Sequence, residues 1–125
     1  MGRIREYIEV DGRKCWTLFD TGARNTYVVQ DVASLLAPVD LKRTFRSALG
    51  GTVKETRQAA ILEALVEGHP IATQAMVVDE IGDDEEGKPI EVLIGALAMQ
   101  QWGIRPIPDS ETLDMSHYSK EFLEF

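Results

Sequence analysis

The sequence predicts a mainly β domain carrying one or two short helices, and three observations lead there. Ile4, Glu6, Ile8 and Val10 alternate with Arg5, Tyr7 and Glu9 ahead of Asp11-Gly12, and extended character resumes at Lys14, which is a strong hairpin signal. Gly50-Gly51 separates two further extended stretches and suits the tip of a projecting hairpin. Short apolar runs bounded by turn residues recur down the rest of the chain, as they do in β domains.

In chain order, the first hairpin joins Arg3–Val10 to Lys14–Phe19 and delivers Asp20 just past its second strand. Thr26-Tyr27-Val28-Val29 is short and largely β-branched, hence a strand. Asp31 to Leu36 reads as one or two helical turns stopped by Pro38. Leu41–Leu49 and Thr52–Val66 flank the Gly-Gly tip, and Glu67-Gly68-His69-Pro70 turns the chain into Ile71–Val78. Gly82 to Pro89 contains four successive carboxylates and is expected to be a solvated, mobile loop. Glu91–Ile94 is a buried-type strand, Gly95–Trp102 a short helix, and Ile104–Ile107 one further strand. Met115, Tyr118, Phe122 and Phe125 recur at spacings of three and four, which predicts a weak amphipathic C-terminal helix over Leu113–Phe125.

A chain of 125 residues with 44% hydrophobic and 27% charged residues is sized for one domain, spanning 1–125. Thirteen Lys and Arg against 21 Asp and Glu give a formal charge of −8, which disfavours nucleic acid and anionic membranes as partners. Cys15 is the only cysteine, so neither an internal disulfide nor a cysteine zinc cluster can form, and it is expected as a small buried hydrophobe. The N-terminus lacks the apolar run of a secretory signal, and no segment approaches the ~20 apolar residues of a membrane span. A cytoplasmic location is the expectation.

The chemistry-bearing motif is Asp20-Thr21-Gly22-Ala23, placed after the apolar run Cys15 to Phe19. By itself Asp-Thr-Gly also describes an ordinary turn in which Asp accepts backbone hydrogen bonds. Its company is more informative: Leu49-Gly50-Gly51-Thr52 follows, and then Val92-Leu93-Ile94-Gly95-Ala96, a second apolar strand running into a small-residue turn. This ordered set resembles the retropepsin-like aspartic proteases, the single-domain clan typified by retroviral proteases. The resemblance covers roughly Arg5 to Pro106 and leaves a C-terminal extension from about 108.

The resemblance implies a closed-barrel acid protease fold that works as a homodimer on a peptide or protein substrate, without metal or organic cofactor. Asp20 of each subunit would hold a water at the two-fold axis, and because two adjacent like charges are costly, the pair would share one proton. Thr21 would brace the two loops, Gly22 would admit substrate backbone, and Ala23 would pack beneath the site. Leu49, Gly50 and Gly51 would belong to a flap closing over an extended peptide. Gly95 and Ala96 would pack behind the Asp20 loop. Retroviral members usually carry after the Ala an acidic residue that binds substrate backbone, where this chain has Arg24-Asn25; these two are candidate substrate contacts, and a cation there would either favour acidic substrate groups or pair with an internal carboxylate. Arg24 also keeps a second reading open, a non-catalytic dimeric interaction module on the same fold.

Other motifs carry less. Gly82 to Lys88 approximates a phosphate-binding loop, but Pro89 stands where Ser or Thr is needed and four carboxylates would repel phosphate. Those carboxylates also lack the alternating spacing of an EF-hand. His69 and His117 have no partner motif. Trp16, Trp102, Met76 and Met99 are expected in the core. Arg43, Arg46, Lys54 and Arg57 are expected to line a solvated hairpin face, or to contact peptide if that hairpin is the flap.

Overall fold

The computed structural model describes residues 3–121. Its strands are β1 (Arg3–Val10), β2 (Arg13–Asp20), β3 (Thr26–Val29), β4 (Val39–Leu49), β5 (Thr52–Val66), β6 (His69–Val78), β7 (Val92–Ile94), β8 (Arg105–Ile107) and β9 (Thr112–Asp114). Two short helices complete it, α1 (Gln30–Ala33) and α2 (Ala96–Trp102). Seven strands form one sheet in the order β1-β2-β7-β3-β6-β5-β4, and a further pair, Glu9 with Leu65, brings β1 against β5. Among the described residues no helix is long and apolar enough to cross a membrane.

β2 shows how sequence period sets the site. Successive side chains of a strand face opposite ways. Cys15, Thr17 and Phe19 enter the main core, where all three are fully buried, and Thr17 satisfies its hydroxyl on the Cys15 carbonyl at 3.0 Å. Burial pushes the Cys15 thiol up to about 11, as suits an inert core cysteine. Trp16 and Leu18 face a second, smaller cluster with Tyr27, Leu49, Val78, Ile90 and Leu93. Asp20 shares that second face, so the strand aims it away from the main core.

β7 is buried along its whole length because it lies between two strands, parallel to β2 and antiparallel to β3. A three-residue apolar run is what such an interior position requires. The predicted hairpins form. At the β4–β5 tip Gly50 and Gly51 have φ of 57° and 83°, the left-handed pair that a two-residue turn between twisted strands needs.

The tail departs from expectation. Instead of a helix, Thr112–Asp114 forms β9 against β8, and the Asp114 carboxylate accepts the Ser116 amide at 2.9 Å to turn the chain. Met115 and Tyr118 pack on the core from this irregular segment, Tyr118 stacking 6.1 Å from Trp102. A spacing of three suits a turn as well as a helix. Phe122 and Phe125 lie outside the described residues.

The Gly82–Pro89 loop is largely exposed, as expected, and is also tied to the sheet. Asp84 turns inward, accepting the Trp16 indole N–H at 2.9 Å together with the Lys88 and Glu86 amides, each at 2.9 Å. The Lys88 ammonium stands 4.3 Å from the Tyr7 ring centre and 4.2 Å from that of Trp16, and Glu85 pairs with Arg5. Asp83 and residues 85–89 stay exposed, as expected of a solvated loop, while Asp84 and Lys88 fasten it to the sheet.

Candidate active site

The Asp20 loop is built from two crossing pieces of chain. Asp20 Oδ1 accepts the Gly22 amide at 2.8 Å, and the Ala23 amide donates to the Asp20 carbonyl at 3.1 Å, which closes the turn. Behind it, the Ala96 and Leu97 amides donate to the Ala23 and Arg24 carbonyls at 2.7 and 3.2 Å. The buried Thr26 hydroxyl accepts the Gly95 amide at 3.2 Å. A Cβ on Gly95 would lie 2.2 Å from the Asn25 carbonyl oxygen, so only glycine permits this crossing. Gly95 and Ala96 therefore stand where close packing was expected of them.

The Asp20-to-Gly22 bond alone is an ordinary Asx turn. What distinguishes Asp20 is the space in front of it, a cleft of about 420 Å³ bounded by Asp20, Leu49, Gly50 and Thr52 and floored by Leu18 and Leu93. Thus the carboxylate and the β4–β5 hairpin tip, thirty residues apart in sequence, face one cavity. Thr21 and Gly22 lie exposed beside the carboxylate, and Ala23 is half-buried against the smaller apolar cluster. Gly51 completes the tip turn.

Four charged residues outside the Asp20 motif also line the cleft: Arg3, Lys54, Glu80 and Asp83. Arg3 Nε stands 3.5 Å from Asp20 Oδ2, with the Asp20 side chain only 16% exposed. The hairpin register foretells that pair, since counting back from the Asp11-Gly12 turn sets Arg3 opposite Asp20. Lys54, its side chain 11% exposed, ties β5 to Asp79 and Glu80 at 3.5 and 3.8 Å. That link has no signal in the sequence, because it depends on the hairpin folding over the end of β6.

Arg24 and Asn25 are placed elsewhere. They line a separate cavity of about 610 Å³ that shares no residue with the Asp20 cleft.

No family model and no curated protein matches the chain by sequence. Its structure, however, is similar to the retroviral protease-like domain of Ddi1 from Leishmania major, with a TM-score of 0.63 and 14% identity, covering 93% of this chain and 90% of that one. It is also similar to EIAV protease solved with the inhibitor HBY-793, with a TM-score of 0.55 and 18% identity, covering 84% of this chain and 92% of the other. At these identities the likeness is one of fold: the chain has a mainly β, retropepsin-like fold.

Proposed function

We propose that this chain is an aspartic-type endopeptidase whose active site is completed by a second copy of itself. The observation that carries the reading is Asp20 at the end of β2, facing one cleft with the glycine tip of the β4–β5 hairpin on a retropepsin-like fold. In the proposed homodimer two Asp20 carboxylates flank one water. The ionised member takes a proton from the water while the protonated member donates to the scissile carbonyl, so the pair exchanges roles without metal or organic cofactor. The hairpin tips act as flaps that exclude water from an extended peptide.

The test is cleavage of extended peptides at mildly acidic pH by purified protein, with sedimentation at several concentrations alongside. Asp20→Asn is expected to lower kcat by about a hundredfold or more while the fold and the dimer persist. Full activity in that variant, or activity unchanged through a range where the protein is monomeric, would overturn the assignment.

Arg3 supports the second reading, a dimeric interaction module that does not hydrolyse peptides. A guanidinium 3.5 Å from Asp20 already satisfies that carboxylate within one chain. If this reading holds, the protein dimerises and binds extended peptides, yet Arg3→Met leaves it as inactive as before.

A further inference from the structure

We infer that the apolar groove at the turn end of the β1–β2 hairpin is a docking surface for a basic, amphipathic peptide segment of another protein. The groove is a cavity of about 550 Å³ bounded by the Asp11-Gly12 turn, β5, the start of β6, the end of α2 and the tail around Tyr118. Gly12 and Asp20 stand at opposite ends of β2, where residues advance ~3.3 Å each, so the turn lies roughly 25 Å along the strand from the Asp20 carboxylate.

The floor is apolar and is built before any ligand arrives. Ala64, Leu65, Pro70, Ile71 and Trp102 lie along it, and Leu65 remains 39% exposed at the β1–β5 seam. The polar tips of the two aromatic rings are already engaged: the Trp102 indole N–H donates to the Ala72 carbonyl at 3.0 Å, and the Tyr118 hydroxyl donates to the Pro70 carbonyl. Their rings therefore offer a ligand apolar surface rather than hydrogen bonds. The wall that carries Tyr118 is seated on the helix end. Gly103 closes α2 with φ of 69°, and a Cβ there would lie 2.1 Å from the His117 carbonyl oxygen. The Tyr118 amide donates to the Met115 carbonyl at 3.0 Å, which fixes the turn. A groove held open by its own contacts loses little freedom when a peptide enters.

Charge selects the occupant. Glu9, Asp11 and Glu63 border the groove, all exposed, and none has an ion-pair partner among the described residues. Lys120 is the one cation of the lining, and it pairs with none of them. An arginine flanked by aliphatic residues matches both parts of this surface. Its guanidinium can bridge the carboxylates or lie over the Tyr118 ring while its neighbours cover Leu65. Two other occupants fit less well on the same ground. A second copy docked groove to groove would set carboxylates against carboxylates in a chain that carries −8. Residues 122–125, Phe-Leu-Glu-Phe, are apolar but bring an acid and no cation. The docking surface does not rest on the peptidase reading.

The experiment follows amide and indole N–H resonances of the full chain, wild type and Asp20→Asn in parallel, so that binding is read without hydrolysis. The probes are acetyl-Leu-Arg-Leu-Arg-Leu-amide, the same peptide with citrulline in place of arginine, and the same peptide with glutamate there. The arginine peptide is expected to shift Gly12, Leu65, Ile71 and the Trp102 indole saturably while the Trp16 indole stays in place. Affinity should fall about tenfold for the citrulline peptide, and by a similar factor for the arginine peptide on the double variant Glu9→Gln, Glu63→Gln. Glu63→Lys with Glu9→Lys should instead prefer the glutamate peptide, which separates charge recognition from damage to the fold. Equal affinity for the arginine and citrulline peptides, or no shift at these four residues, would overturn the proposal. So would shifts at Gly12 and Leu65 that appear without peptide: on concentrating the protein they assign the groove to a second copy, and on ending the chain at Glu121 they assign it to residues 122–125. Absence of peptide cleavage by the wild type with these shifts intact would count against the peptidase reading alone.

Discussion

Single residues decide how the Asp20 loop is held, and Gly95 is the sharpest case. Its missing Cβ leaves room for the Asn25 carbonyl, which a methyl group would approach to 2.2 Å, against rigid backbone rather than a yielding side chain. Gly95→Ala is therefore expected to cost about 2–3 kcal/mol or more. Urea denaturation checks this: the midpoint should fall with an unchanged slope, and the loss of activity should exceed that of a surface Gly→Ala change because the Asp20 loop moves with the crossing. The direction of Asp20 was legible beforehand from the two-residue period of Cys15, Thr17 and Phe19 against Trp16 and Leu18, because strand periodicity leaves a residue only two faces to choose from. Its Arg3 neighbour was equally legible from the register of the first hairpin. The separation of Arg24 from the Asp20 cleft was not. Beyond the strand end the chain follows a turn, and which way a turn sends the following residues depends on its hydrogen bonds to Gly95–Leu97, some seventy residues away.

At the scale of elements, local pattern foretold the strands and hairpins, whereas long-range partners rewrote the loop and the tail. The run Asp83 to Glu86 reads as solvated on composition and stays largely exposed, but the fold also sets Arg5 and the Trp16 indole opposite it, and Asp84 becomes the hub of a folded loop. The Lys88 amide, with lesser help from Glu86 and the Trp16 indole, holds the Asp84 carboxyl below the usual carboxylate range. Because Ile81, Gly82 and Asp83 wall the Asp20 cleft, the Lys88 contacts with Tyr7 and Trp16 steady that wall from behind. Lys88→Met should cost only about 1 kcal/mol of stability, since exposed cation–π contacts are weak. It should nonetheless change Trp16 fluorescence, speed amide hydrogen exchange at 84–88, and raise KM for peptide more than it lowers kcat. Lys88→Arg should restore all three. Unchanged exchange in Lys88→Met would show that the Asp84 bonds alone hold the loop.

For the molecule as a whole, the edge strand β1 also meets β5, the neighbour of the other edge strand, at Glu9 and Leu65, and an acidic pair sits by that seam. Glu6, partly buried on β1, is pushed up to about 7, first by burial and then by the hydrogen bond and like charge of Glu67 in the β5–β6 turn. The folded chain thus binds the Glu6 proton more tightly than the unfolded chain, whose Glu titrates near 4.5. The linked contribution to stability is fully present below about pH 4.5 and is lost as pH rises through about 7. Ionised Glu6 meets the like charge of Glu67 in a molecule already at −8. Glu6→Gln keeps the hydrogen-bonding shape and removes the titration. Thermal melts between pH 4.5 and pH 8 should show the wild-type Tm falling relative to Glu6→Gln as pH rises, with the two proteins close at the acid end and the variant the more stable at pH 8. A constant Tm difference across the range would mean that Glu6 and Glu67 part in solution and that the seam is held by its apolar contacts alone.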